Sequence, residues 1–218
     1  MKNQKFQCKQ CGKCCTEFRL LPLFEWETKE LKKIAKEKKI KISIKPNLYF
    51  LDKKSNTVFV YLYGMFNHPC PFLKRKRCSI YDKRPLICRQ FPIFKTPQFN
   101  REKNFDAKCF LHCGNFNFKK SLLDNLSFND IILEKSIAYL KKIYGECYAY
   151  ALQSNTASGV IGNMINELEK NGKIKIELCR FDIKEHKVIS FFDFLVKSGY
   201  MKKDSKREII DNLRNWKF

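Results

Sequence analysis

The opening stretch MKNQKFQCKQCGKCC has no apolar run of the roughly 7–15 residues that a secretory signal needs, so the expected location is the cytoplasm. A membrane span is lacking too. Two uncharged stretches, 55–73 and 147–166, approach the roughly 20 residues required. The first holds Asn56, Gly64, Asn67, Pro69 and Pro71, and the second Gln153, Ser154, Asn155, Thr156, Ser158 and Asn163, so the chain is expected to be soluble with no membrane partner. Paired catalytic carboxylates, a nucleophile elbow, a phosphate-binding glycine loop and an internal repeat are all missing, which leaves the common hydrolase and nucleotide-binding classes without a motif. Acidic residues are scarce: 22 Asp and Glu stand against 44 Lys and Arg, a formal charge of +22.

What the chain has in quantity is cysteine. Eleven is an odd number in a chain without an export signal, which disfavours a closed disulfide framework and favours metal or redox chemistry. Nine of them (Cys8, Cys11, Cys14, Cys15, Cys70, Cys78, Cys88, Cys109, Cys113) lie in residues 1–120, with only Cys147 and Cys179 beyond. Charge divides the same way. Residues 1–120 carry 28 Lys and Arg against 9 Asp and Glu, and residues 121–218 carry 16 against 13. With 44% hydrophobic and 14% aromatic residues in 218, the chain has enough apolar material to exclude disorder and to form one domain with an appendage or two small domains.

The expected fold class is α+β: a small, irregular, cysteine-rich, metal-stapled module with a short hairpin over residues 1–120, then a mainly helical capping or partner-binding region over 121–218. Residues 25–39 read as an amphipathic helix with Leu31, Ile34 and Ala35 on its apolar stripe. Residues 41–44 and the runs on either side of the turn at 52–56 read as strands, the last two forming the hairpin. Helices are expected from Ile131 to Gln153, from Val160 to Lys170 with a stop at Asn171-Gly172, from the Ser190 cap to Lys197, and from the Asp204 cap to Trp216. Residues 173–183 alternate like a strand.

The strongest signal is Cys8-x-x-Cys11-Gly12-x-Cys14-Cys15. Cysteines two apart can turn both sulfurs to one metal, and Gly12 permits the backbone such a knuckle requires; the same spacing suits an iron–sulfur cluster. Adjacent Cys14 and Cys15 are expected to diverge, giving two neighbouring sites or one site with a spare thiolate. Cys70, Cys78, Cys88 and Cys109 bring the supply to eight, enough for two four-thiolate sites, and Cys113 is a ninth. Each such site, around zinc or an oxidised four-iron core, carries a net charge of about −2. Arg84, Arg89 and Lys13 placed nearby would lower the thiols' proton affinity.

Together with Cys70-Pro71-Phe72-Leu73, Cys78-Ser79-Ile80-Tyr81 and Arg84-Pro85-Leu86-Ile87-Cys88-Arg89-Gln90-Phe91-Pro92, the knuckle resembles the YkgJ-type CxxCxxCC family of zinc- or iron-chelating proteins over about residues 6–113. The resemblance implies a metal site and no particular reaction. It also implies one last cysteine ligand, either Cys109 or Cys113. Two readings follow. One is an iron–sulfur protein, with one or two 4Fe-4S clusters, acting in redox or in modification of a protein or small molecule. The other is a structural zinc module whose Lys74-Arg75-Lys76-Arg77 loop docks on nucleic-acid phosphate. Labile cysteine-based metal storage is a third. His112 beside Cys113 and His68 near Cys70 are weaker ligand candidates, and His186 is remote.

Overall fold

The computed structural model describes residue 8 and residues 10–91, 145–178 and 183–215. The chain is α+β. Its described elements run α1 (Lys13–Glu17), β1 (Leu21–Leu23), α2 (Glu25–Glu37), β2 (Ile44–Asp52), β3 (Thr57–Met65), β4 (Leu73–Lys74), β5 (Arg77–Cys78), a 3-10 turn (Tyr81–Lys83), α3 (Leu86–Arg89), α4 (Glu146–Lys170), β6 (Ile176–Leu178), a second 3-10 turn (Ile183–Glu185), β7 (Lys187–Ser190), α5 (Phe191–Lys197) and α6 (Lys203–Asn215). The expected helix ends at 131–144 and 216, the strand residues 179–182, and the boundary at 120 lie outside the described residues.

The hairpin is longer than expected, with nine residues in each strand. Thr57-Val-Phe-Val-Tyr61 is buried without a break, because the central strand β3 is covered on both faces. Antiparallel β2 takes one edge of β3. The other edge is shared by antiparallel β1, which pairs with residues 63–65, and parallel β7, which pairs with 57–60. Beyond β2 lies β6. The sheet therefore draws strands from both sides of residue 120. Asp52 locks the hairpin turn, accepting from the backbone N–H of Lys54 and Ser55, from Ser55 Oγ at 2.6 Å, and from the Lys175 N–H at 2.9 Å.

Helix α4 corrects the sequence reading. Two helices were expected with a break near Ser154–Gly159, yet one helix runs from Glu146 to Lys170. Ser154, Ala157 and Ser158 are buried, and Tyr61 Oη donates to the Ser158 carbonyl at 2.9 Å. These small side chains let the helix lie close to the sheet, and packing overrides the weaker helix propensity of the serines, Asn155, Thr156 and Gly159. Gly159 and Gly162 fall inside this helix. Asn171-Gly172 ends it as expected, with Gly172 at φ +63°. Ser190 caps α5 through a bond accepted from the Asp193 N–H. The main core joins Phe59, Tyr61, Phe24 and Trp26 to Ala157, Ile161, Phe191 and Phe194. A second cluster, Leu23, Leu31, Ile34, Met65, Phe72 and Ile80, has Cys70 and Cys78 packed against it. The cysteine chemistry thus sits on the rim of a core.

Candidate metal centre

Gly12 starts the site. At φ +75° it caps the five-residue α1, which places Cys14 and Cys15 on one short turn. A Cβ added there would stand 2.8 Å from both Leu73 Cδ1 and the Lys76 carbonyl oxygen. The knuckle and the β4–β5 hairpin therefore touch where only glycine fits. The Cys70 N–H donates to the Cys15 carbonyl at 2.8 Å, tying the second cysteine block to the first. In β4–β5, Leu73 pairs with Cys78 and Lys74 with Arg77, while Arg75 and Lys76 take left-handed conformations at the tip. All four basic side chains of this hairpin are exposed.

Cys88 arrives on α3, and buried Glu27 holds that turn in place. Glu27 Oε1 accepts from the Leu86 N–H at 2.6 Å, and Oε2 accepts from the Phe24 N–H at 2.9 Å. One carboxylate thus closes the start of α2 and the start of α3 together. Burial pushes the Glu27 carboxyl up to about 7, against the lowering pull of the two N–H bonds and of Arg89.

All eight described cysteines line a single cavity of about 510 Å³: Cys8, Cys11, Cys14, Cys15, Cys70, Cys78, Cys88 and Cys147. None is in a disulfide. Cys14 and Cys15 do not diverge as expected; their sulfurs are 4.0 Å apart. Two thiolates on one tetrahedral zinc, at about 2.3 Å each, stand about 3.8 Å apart, so the adjacent pair fits one edge of a metal site. The Cys15 thiol also hydrogen-bonds Cys70, and its bonds to Cys14 and Cys70 lower both of those thiols, Cys70 to about 7, while raising Cys15 itself. Burial raises Cys78 and Cys88. Two thiolates at 4 Å repel by about 4 kcal/mol at an effective dielectric of 20, which a shared cation relieves. Among the described residues no three His, Cys, Asp or Glu side chains are already closed around one point. The donor set that lines the cavity is nevertheless soft and sulfur-rich, and suits zinc or iron.

Arg84 sits beside these thiols, lowering Cys14 and opposing the rise at Cys78 and Cys88, with its guanidinium stacked 3.7 Å over Tyr81. Arg89 turns to another task. It donates to the Arg84 and Asp82 carbonyls at 2.6 and 3.0 Å and to Tyr150 Oη at 3.2 Å, bracing α3 against α4. Lys13 is exposed on α1. His68 meets the Phe18 carbonyl and His186 meets Asn56, and neither lines the cavity. Cys109, Cys113 and His112 lie outside the described residues. Cys147, which no motif singled out, also lines the cavity; it lies outside the motif blocks, and the sequence reading placed it near the end of a helix rather than in the first turn of α4.

Fold and site together define a cysteine-lined chelating module resting on an α+β core. Residues 7–114 match the family CxxCxxCC, described as "Putative zinc- or iron-chelating domain". The cysteine half of the chain belongs to that family and is a metal-binding domain of the zinc- or iron-chelating kind. No curated protein and no solved structure matches the chain. Among the described residues no helix is long and apolar enough to cross a membrane.

Proposed function

We propose that the cavity holds iron–sulfur chemistry, one or two four-iron clusters, and that the protein serves a redox or modification reaction on a protein or small-molecule partner in the cytoplasm. The observation that carries this reading is the gathering of eight thiols on one cavity of about 510 Å³. Zinc and a four-iron cluster each take four thiolates, so the thiol count fits two sites of either kind, and it is the open volume that favours the bulkier cluster over a single ion. The ligands are Cys8, Cys11, Cys14, Cys15, Cys70, Cys78 and Cys88, with Cys109 or Cys113 as the last ligand that the family pattern implies. Arg84 is the positive charge that favours thiolate, and Arg89 fixes the Cys88 turn. When bound, such a cluster supplies one-electron transfer at a potential set by burial and hydrogen bonding at sulfur. Leu48, Leu62, Met65, Phe72 and Ile80 give the cavity apolar walls. The test is iron and acid-labile sulfide per chain, with the visible spectrum, after purification without oxygen. Several irons and sulfides with broad absorption support the reading. About two zincs without sulfide overturn it.

The exposed β4–β5 tip favours a second reading, a zinc module docking on nucleic acid. Lys74, Arg75, Lys76 and Arg77 crown a two-residue turn fixed to the knuckle, so their charge is displayed rigidly. Binding of a fluorescent single-stranded RNA or DNA should then weaken with salt and fall several-fold in Arg75→Gln/Lys76→Gln. No binding at low salt removes it.

A further inference from the structure

We infer that Cys147 supplies a thiolate to the metal held in the cysteine cavity, so that the site is assembled from both the family module and the C-terminal helix that follows it. The inference rests on the reading of the cavity as a metal site. Cys147 lies 33 residues past the last matched position, 114, in the first turn of α4. It is 4% exposed and faces the same cavity as Cys8, Cys11, Cys14, Cys15, Cys70, Cys78 and Cys88.

The packing of α4 explains why it is there. Tyr150, three residues on, shares a helix face with Cys147. That face meets α3: Arg89 donates to Tyr150 Oη at 3.2 Å, and its guanidinium lies 5.1 Å over the Tyr150 ring. Arg89 follows Cys88 directly, so the contact that anchors α4 also brings the Cys147 turn to the Cys88 turn. A buried cysteine is ordinarily a small apolar filler among hydrocarbon side chains. Here it lines a cavity that seven other thiols also line. With it the described residues bring eight thiols to the cavity, in addition to the last family ligand at Cys109 or Cys113.

The full chain loaded with Co²⁺ tests this without any assay of activity. Sulfur-to-cobalt charge-transfer absorption grows with the number of bound thiolates. Cys147→Ser, with a far-UV circular dichroism spectrum like that of the parent, should lose between an eighth and a quarter of that absorption and should release cobalt to excess EDTA at least about tenfold faster. Independently of any variant, the native chain loaded with ¹¹³Cd should show scalar coupling from cadmium to the Cys147 β protons. An unchanged cobalt spectrum and release rate, or no cadmium coupling to Cys147 while other cysteines couple, overturns the assignment and leaves the metal site standing. Failure of the native chain to show any thiolate–cobalt absorption overturns the assignment and the metal site together.

Discussion

At the residue scale, Glu27 is the side chain on which most depends. It is the carboxylate that joins the start of α2 to the start of the cysteine-bearing α3, and it does so while buried at 6% exposure. Its neighbours set the sign of its pH effect: burial and Glu30 raise its pKa, and the two N–H bonds and Arg89 lower it, leaving about 7 against an ordinary 4.5. A carboxyl whose folded pKa is raised binds its proton more tightly in the native state. Its favourable contribution is complete below about 4.5 and is lost as pH rises to about 7, an effect of order 3 kcal/mol. Denaturant melts of the metal-free chain between pH 4.5 and 7.5 should show this decline. Glu27→Gln should flatten it, at the cost of about 1–3 kcal/mol for an N–H left with a poorer acceptor. A wild type whose stability is level across that window would show that Glu27 does not titrate there.

Between elements, the decisive contact is knuckle against hairpin. Gly12 and the Lys76 carbonyl approach so closely that Gly12→Ala must shift backbone, and the left-handed φ adds its own strain. The expected loss is about 2 kcal/mol of stability by urea unfolding, with at least severalfold weaker zinc or cobalt uptake because the Cys11–Cys15 turn and the Cys70–Cys78 hairpin no longer register. Gly159→Ala is the control. Nothing lies within 4 Å of a Cβ there, and it should be neutral or slightly stabilising. Asp52 performs a similar service on the far side of the sheet. Burial raises its pKa, but bonds from Ser55, Lys175 and Lys54 outweigh that and hold it below 3.8, so its contribution is present above that pH and lost as pH falls. Asp52→Ala should cost about 2 kcal/mol at pH 7, and the cost should shrink as pH falls below 3.8, measured by chemical unfolding.

Over the whole molecule, the cysteine site and the C-terminal helices are joined by one sheet, although they pack on two separate core clusters. Strands β6 and β7 flank the hairpin, and Phe59 of β3 stacks on Phe194 of α5 at 4.8 Å. Lys206 of α6 reaches back to Glu25 of α2 at 2.8 Å. Unfolding of the metal-loaded chain should therefore be a single transition, with circular dichroism and tryptophan fluorescence coinciding. Stripping the metal with a chelator should lower the melting temperature of that same transition. Two separated transitions, only one of them moved by chelation, would contradict the coupling through the shared sheet.

The cysteine spacing, the helix at 25–37, the hairpin, the Ser190 cap and the stop at Gly172 were all legible in the sequence, because each rests on chemistry within a few residues. So was the metal-binding class, since the Cys8–Cys15 knuckle is local and Gly12 is required by its own backbone. Three features were settled only by tertiary structure. The small-residue run 154–159 stays helical because the sheet packs on it; Cys14 and Cys15 come together because one turn of α1 is pinned by Cys70 and Lys76; and Cys147 lines the cavity because α4 packs on α3, where Arg89 meets Tyr150. Each depends on partners distant in sequence, whose contacts no local pattern encodes.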